Sequence, residues 1–84
     1  MSMRISELSA ASGVSLPTLK FYLREGLLQP GKAVARNQAL YNEGHLRRLR
    51  LIRALTEVGK LSLREVKAVL DAVYEKVKAG TALS

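Results

Sequence analysis

Hydrophobic positions recur with helical spacing from the start of the chain. Ile5, Leu8 and Ala11 fall on one side of a first helix, predicted from about Ser6 to Ser12. Gly13 follows, and glycine adopts a left-handed turn conformation at little cost. The pattern therefore predicts a short amphipathic helix that ends in a tight turn.

A second helix is predicted from Leu16 to Glu25, with Ser15 as its N-cap and Gly26 at its end. Pro17 is tolerated in the first turn of such a helix. Helical geometry divides the side chains into an inward face and an outward face. The inward face comprises Leu16, Leu19 and Leu23, and the outward face comprises Pro17, Lys20, Phe21 and Arg24.

The first two predicted helices have the spacing of a helix-turn-helix. Leu8, Val14, Leu19 and Tyr22 are the residues expected to lock them together, and the small Ser9 allows a close approach. An outward Phe21 between two cations suits a helix that enters the major groove of DNA. The alternative is that Phe21 packs under the loop that follows.

Residues 28–41 have a different pattern, in which turn-forming residues separate two apolar pairs. Pro30, Gly31 and Asn37 lie between Leu27-Leu28 and Leu40-Tyr41. Such a pattern is typical of two very short strands joined by a loop. The loop is basic, so the sequence predicts a small cationic hairpin.

Two further helices complete the predicted fold. The third helix is predicted from about Glu43 to Val58, with Asn42 as its cap. Ser62 and Glu65 have the spacing of a capping box at the start of the fourth. The apolar positions of the fourth helix are interpreted as core, and those of the third helix form a broad apolar arc. They are Leu49, Leu51, Ile52, Leu55 and Val58 in the third helix, and Leu63, Val66, Leu70, Val73 and Val77 in the fourth.

Charge narrows the class of partner. The 84 residues suffice for one domain, and 14 Lys and Arg against 7 Asp and Glu give a formal net charge of +7. A concentrated positive surface favours nucleic acid as the partner, although a solvated basic surface is the alternative. The chain has no cysteine, no apolar start typical of a signal peptide and no apolar run long enough to span a membrane. It is therefore expected to be cytoplasmic and to have no membrane partner.

Neither a cofactor nor a catalytic site is expected. The chain has no cysteine and one histidine, His45, so a metal site lacks its usual ligands. His45 is expected at a polar place in the first turn of the third helix, near a phosphate. Because no nucleophile or carboxylate pair has catalytic spacing, the sequence does not indicate an enzyme.

Arg48 raises a separate question, because it projects into the apolar arc of the third helix. A cation at such a position needs a partner. Either a DNA phosphate or a carboxylate such as Glu7 or Glu25 could provide it, and the sequence leaves both alternatives open.

Several segments together resemble the N-terminal domain of MerR-family regulators. They are Met3-Arg4-Ile5-Ser6-Glu7-Leu8, Gly13-Val14-Ser15, Pro17-Thr18-Leu19-Lys20-Phe21-Tyr22, Arg24-Glu25-Gly26-Leu27-Leu28, Leu40-Tyr41-Asn42, Leu46-Arg47-Arg48-Leu49 and Ile52-Arg53-Ala54-Leu55. The resemblance runs in order from Met3 to about Leu70. It implies a mainly α, winged helix-turn-helix fold of four helices, with a two-stranded wing between helices 2 and 3. The expected boundaries within a single domain, 1–84, are 5–26 for the helix-turn-helix, 27–41 for the wing and 43–78 for the second-wing helices.

The resemblance also implies a mode of DNA binding, with the second helix in the major groove and the wings on the phosphate backbone. Thr18, Lys20, Phe21 and Tyr22 match recognition-helix contacts by position, and Tyr41, Arg47 and Arg48 match backbone contacts of the wings. The outward face adds Ser15, Pro17 and Arg24 to the expected DNA-binding set. Asn37, Gln38 and Ala39 replace the family's frequent Gly-Tyr-Arg, so Lys32 or Arg36 is expected to take the missing arginine's phosphate contact.

The expected function is sequence-specific binding of double-stranded promoter or operator DNA in bacterial transcription, with RNA polymerase at the promoter and the protein on the nucleoid. The resemblance implies a homodimer for a full-length regulator, whereas these 84 residues are expected to be monomeric alone and to be a shortened form. Gly59-Lys60-Leu61-Ser62 is one residue longer than the family's usual turn. Two alternatives are a DNA-architectural protein like an excisionase and a module that binds an acidic protein.

Overall fold

The helices and strands follow the predicted order, with ends set by local sequence. The computed structural model describes residues 2–83, without the side chains of residues 74–83. Its elements are α1 (Ile5–Ser12), α2 (Leu16–Arg24), β1 (Lys32–Ala35), β2 (Gln38–Leu40), α3 (Glu43–Glu57) and α4 (Leu63–Leu83). This confirms the mainly α fold with a two-stranded wing between α2 and α3. The chain divides into two compact units, residues 1–52 and 53–84, which are described separately.

Side-chain caps fix the starts of three helices. Ser15 Oγ accepts a hydrogen bond from the Thr18 N–H at 3.4 Å, and Asn42 Oδ1 accepts one from the Gly44 N–H at 2.9 Å. At α4 the Ser62 N–H donates to Glu65 Oε1 at 3.0 Å, and the Glu65 N–H donates to Ser62 Oγ at 3.1 Å. The Ser62 hydrogen bonds lower the pKa of the Glu65 carboxyl group. All three predicted caps are confirmed.

The turn between α1 and α2 depends on Gly13 and Ser9. Gly13 has a φ of 75°, and its N–H donates to the Ser9 carbonyl at 2.9 Å. The Ser9 hydroxyl donates to the Val14 carbonyl at 2.6 Å. Because a side chain on residue 13 would be strained in this conformation, glycine keeps the turn short. Ser9 thus adds a hydrogen bond across the turn as well as being small.

The core of the first unit is aliphatic with two tyrosines. Its buried hydrophobic residues are Met3, Leu8, Val14, Leu19, Tyr22, Leu27, Leu28, Tyr41, Leu46, Leu49 and Ile52. The four residues predicted to lock the helix-turn-helix are all among them. On α1, however, Ser12 is buried and Ala11 is exposed, contrary to the predicted face. The Ser12 hydroxyl can occupy this place because it accepts a hydrogen bond from the Val14 N–H at 3.2 Å.

The wing is an antiparallel hairpin with a bulge. Lys32 pairs with Leu40, and the register shifts between Ala33 and Ala35. At its base Met3 and Tyr41 form an isolated bridge, in which each backbone N–H donates to the other's carbonyl at 2.7 Å. This bridge, which the sequence did not predict, ties the segment before α1 to the base of the wing.

Two residues of the predicted apolar arc of the third helix are exposed. Leu51 is exposed within α3, and Val58, which follows the helix, is 82 % exposed. Leu49 and Ile52 are fully buried, and Leu55 is half-buried. The predicted apolar arc was therefore too wide, because periodicity does not show how much of a helix face its neighbours cover.

In the second unit, α4 has two buried residues among the side chains that the structure describes. Val66 and Leu70 are buried and Leu63 is half-buried, as predicted, but Val73 is exposed. The side chain of Val77, also predicted as core, lies outside the described residues. No helix in the described range 2–83 has the length and apolar character needed to cross a membrane.

Lys60 is strained, and we expect Lys60→Gly to raise the free energy of unfolding by up to about 1 kcal/mol. Lys60 has a φ of 58°, and such a conformation costs a non-glycine residue about 1–2 kcal/mol. The greater freedom of glycine in the unfolded chain offsets about 0.5–1 kcal/mol of this gain. The midpoint of urea unfolding measures the difference.

Gly59 provides the contrasting control for that substitution. A Cβ atom at residue 59 would lie 2.8 Å from the Leu55 carbonyl oxygen, a backbone atom that cannot move aside easily. Gly59→Ala should therefore lower the urea midpoint. A lower midpoint for Lys60→Gly as well would contradict the assignment of strain to Lys60.

Candidate nucleic-acid interface

The exposed face of α2 is the centre of the candidate interface. Pro17, Lys20 and Arg24 are exposed, while Leu19 is fully buried on the opposite side. Leu16 and Leu23 are only half-buried, so the predicted inward face is narrower than expected. The division into faces nevertheless leaves two cations of α2 in solvent.

Phe21 is half-buried rather than fully outward, which corrects part of the prediction. The Arg24 guanidinium lies 5.5 Å from the centre of its ring, and Arg24 Nε is 3.9 Å from the Glu25 carboxylate. The centre of the Tyr22 ring is 6.2 Å from that of Phe21. Such a cation–π contact orients Arg24 over the aromatic ring at the C-terminal end of α2.

The start of α2 is held by its cap. The Ser15 hydroxyl donates to Thr18 Oγ1 at 2.8 Å in addition to accepting from the Thr18 backbone. Thr18 is half-buried and Ser15 is exposed. Both predicted site residues are therefore engaged in forming the helix start, close to the exposed Pro17.

Tyr22 and Tyr41, which the resemblance placed among DNA contacts, belong largely to the core. Tyr22 is only 8 % exposed, and Tyr41 is similarly buried, which raises the pKa of its phenol. The Tyr41 ring lies edge-on to His45 with 5.0 Å between ring centres. The rings of Tyr22, on α2, and Tyr41, just after β2, are thus part of the core.

His45 lies in the first turn of α3 with polar neighbours, as predicted, but it is buried. It is 8 % exposed, its Nδ1 accepts from the Asn42 N–H at 3.1 Å, and its Nε2 lies 3.3 Å from the Pro30 carbonyl oxygen. A proton on Nε2 satisfies these two contacts, and Nδ1 also lies 3.1 Å from Asn42 Oδ1. Through these contacts His45 connects Pro30, before the hairpin, with Asn42, after it. The sequence did not predict this connection.

Arg47 and Arg48 have different surroundings although they are adjacent. Arg47 is exposed, whereas Arg48 is half-buried and its Nε donates to the Leu27 carbonyl at 2.6 Å. A backbone carbonyl is thus one partner of Arg48, and neither of the alternatives drawn from the sequence included it. Leu27 directly follows Gly26, whose φ is 76°, so Arg48 holds the turn through which the chain leaves α2.

The wing brings some of the predicted residues together and leaves others apart. Lys32 and Arg36 are both exposed, but Arg36, Lys20 and Tyr41 line one cleft and Lys32 does not. Arg4, which the sequence analysis did not select, also lines this cleft. The sequence contained an indication of its role, since Arg4 is a cation within a segment that resembles the family. Among the described residues, no three His, Cys, Asp or Glu side chains could hold a metal ion together.

The sequence of residues 3–73 matches the family of MerR HTH family regulatory proteins. The chain belongs to the MerR family. Several of its relatives are described as transcriptional regulators. Among them, the HTH-type transcriptional regulator ZntR homolog of Haemophilus influenzae is 36 % identical over 69 residues, which are 82 % of this chain and 50 % of that protein. The nodulation protein NolA of Bradyrhizobium sp. (strain NC92) is 37 % identical over 68 residues, 81 % of this chain and 28 % of NolA.

Solved structures agree with this assignment. A protein of Streptomyces coelicolor A3(2), SCO5550, whose structure is described as that of a transcriptional regulator, is 52 % identical with a TM-score of 0.71. The match covers 84 % of this MerR-family chain and 30 % of that one. A MerR-family transcriptional regulator of Bacillus cereus is 26 % identical with a TM-score of 0.76, over 83 % of this chain and 52 % of that one. The chain thus spans between 28 % and 52 % of these four proteins.

Proposed function

We propose that this MerR-family chain binds double-stranded operator DNA sequence-specifically, with α2 in the major groove, and that it serves in the regulation of bacterial transcription. The observation that carries the proposal is the exposed face of α2, formed by Pro17, Lys20 and Arg24. The major groove, about 12 Å wide, admits an α-helix whose exposed side chains reach base edges. A lysine in the middle of that face can donate to guanine acceptors.

The attachment of α2 supports this function because a reading helix must be held in place before it binds. Ser15 caps the start of α2, and Arg48 bonds the Leu27 carbonyl just beyond its end. Leu19 and Tyr22 fix the buried side. The helix therefore loses little conformational freedom on binding, which favours affinity.

Backbone contacts are assigned to exposed cations outside α2. Lys32 and Arg36 lie on the hairpin and Arg47 lies on α3, all three exposed. Contacts of this kind give affinity on any duplex and fix the position of the reading helix, but they read no sequence. For a full-length regulator we propose a homodimer that acts with RNA polymerase at the promoter on the nucleoid, whereas these 84 residues alone are monomeric.

The first test is whether the chain binds duplex DNA with the salt dependence of phosphate contacts. Duplexes retained from a random-sequence pool give a selected site, and fluorescence anisotropy at several salt concentrations gives its affinity beside that of an unrelated duplex. The affinity for both should fall steeply with salt. If neither duplex bound at low salt, the proposed function would be wrong.

Lys20→Ala then tests the reading face. We expect it to cost about 1–3 kcal/mol of binding free energy on the selected duplex and little on the unrelated one. The reason is that a base contact is lost only where the correct base is present. The two affinities of the variant, measured by the same titrations, should therefore lie closer together than those of the wild type. An equal loss on both duplexes would show that Lys20 binds the backbone and would contradict the reading face.

A further inference from the structure

A cleft on the first unit brings together three cations from distant parts of the sequence. It measures about 560 Å³, and Arg4 before α1, Lys20 of α2 and Arg36 of the wing lie along it. Ala33, Ala35 and Ala39 line its wing side. Because these three side chains are small, the wing leaves the cleft open.

In the described part of the chain the three-cation cleft carries an excess of positive charge; the Glu7 carboxylate accepts from the Arg4 backbone N–H at 2.9 Å but does not line the cleft. No carboxylate is among its lining residues, and the described part of the chain gives the Arg4, Lys20 and Arg36 side chains no ion pair. Other cations do have carboxylates nearby: Arg53 Nη2 lies 3.4 Å from Glu57 Oε1, and Lys67 Nζ lies 2.7 Å from Asp71 Oδ2. Like charges that share one cleft repel each other, and a bound anion removes that repulsion.

The position of the cleft indicates which anion. Lys20 belongs both to the cleft and to the exposed face of α2, so the cleft lies directly beside the proposed reading face. In duplex DNA, phosphates border the groove that a reading helix occupies, and arginine matches phosphate with two parallel N–H donors. The side chains of Asn37 and Gln38, which also line the cleft, offer further amide donors.

We infer that Arg4 and Arg36 together bind one backbone phosphate of the operator duplex in this cleft. The inference rests on the proposed DNA binding and adds Arg4 to the interface as a phosphate ligand. It also assigns to Arg36, and not to Lys32, the phosphate contact of the family's missing wing arginine, since Arg36 lines the cleft and Lys32 does not. The wing and the segment before α1 would thus each contribute one arginine to the same phosphate.

The salt dependence of binding tests this with Arg4→Ala, Arg36→Ala and the double variant of the 84-residue chain. One lost phosphate contact lowers the slope of log affinity against log salt by about 0.9, which is about a 3.5-fold effect between 50 and 200 mM salt. The double variant should show this change on the selected and the unrelated duplex alike. A change of about 1.8 would mean two separate phosphates, and an unchanged slope would remove the site; either result overturns the inference.

A single neutral phosphate in the DNA provides the second arm. Methylphosphonates are placed one at a time along the selected duplex, and one position should weaken wild-type binding while leaving the binding of the double variant unaffected. If every position affected both proteins equally, the assignment would be wrong. Titration with inorganic phosphate separates a duplex site from a site for the free anion, and saturation of the cleft by millimolar phosphate in competition with DNA would contradict a duplex-specific site.

Lys67→Ala is the control for a simple loss of charge. It removes one positive charge from a side chain paired with Asp71, and its salt slope should equal that of the wild type. Circular dichroism and urea unfolding should show the cleft variants folded, because Arg4 and Arg36 are exposed. If the wild type binds DNA and the cleft variants bind it with the same salt slope as the wild type, the cleft inference fails and the proposed function stands. If the wild type binds no duplex, both fail.

Discussion

Leu19→Ala is expected to lower the free energy of unfolding by about 2–5 kcal/mol, the range for large-to-small changes at fully buried positions. Leu19 has no exposed surface and lies on α2, opposite the proposed reading face. Domains of this kind are stable by only about 5–15 kcal/mol, so a substantial fraction of the stability is at stake. Urea unfolding followed by circular dichroism measures the loss.

Leu51→Ala is the matched control, since it removes the same atoms from a helix position that is 45 % exposed. We expect a loss of no more than about 1.5 kcal/mol, because full burial of a leucine contributes about 1.5–3 kcal/mol and only about half of Leu51 is buried. Equal losses for the two variants would contradict the placement of Leu51 on the solvent side of α3. A small loss for Leu19→Ala would contradict the helix-turn-helix core.

The features that could be predicted from the sequence are those that neighbouring residues decide. Ser15, Asn42 and the Ser62–Glu65 pair cap helices through bonds that span two or three residues, so each predicted start is right. The turn at Gly13 is equally local. Such signals place the ends of elements with little dependence on the rest of the fold.

The width of each apolar face could not be predicted, because it depends on what covers the helix. Periodicity grouped Leu49 with Leu51 and Val66 with Val73, yet one member of each pair is buried and the other exposed. A sequence shows which residues share a helix face. The position of the neighbouring chain decides where that face meets solvent.

The partners of two polar core residues were hidden for a related reason. The His45 Nε2 contacts the Pro30 carbonyl and Arg48 binds the Leu27 carbonyl, 15 and 21 residues away in sequence. The sequence indicates charged partners for Arg48, because charged side chains can be identified from residue type. Any residue has a carbonyl, so the composition gives no indication of which one a side chain meets.

Only the part of the candidate site that lies on a single helix could be predicted from the sequence. Lys20 and Arg24 follow from the helical wheel of α2, since one helix sets their direction. The cleft that joins Lys20 to Arg4 and Arg36 depends on how three segments pack. The Met3–Tyr41 bridge, which fixes the base of the wing, is likewise a contact between distant residues. Neither the cleft nor this bridge could be predicted without the structure.

Arg47→Ala and Arg48→Ala are expected to have opposite consequences. Arg48→Ala removes a charged hydrogen bond, of a kind that contributes about 1.5–3 kcal/mol, and leaves the Leu27 carbonyl without that donor. It should lower the free energy of unfolding by about that amount and leave the salt slope of DNA binding near the wild-type value. Arg47 is exposed, so Arg47→Ala should change stability by less than about 0.5 kcal/mol.

The binding measurements complete the separation of these neighbouring arginines. Arg47→Ala should weaken the selected and unrelated duplexes alike and reduce the salt slope by about 0.9, as expected for one lost phosphate contact. Arg48→Lys serves as the charge-preserving control: the charge remains but the planar donor does not, so much of the stability loss should persist. The titrations are made at a temperature where each variant is folded. If Arg48→Ala reduced the salt slope without a loss of stability, Arg48 would be a phosphate ligand, and its role in holding the turn after α2 would be wrong.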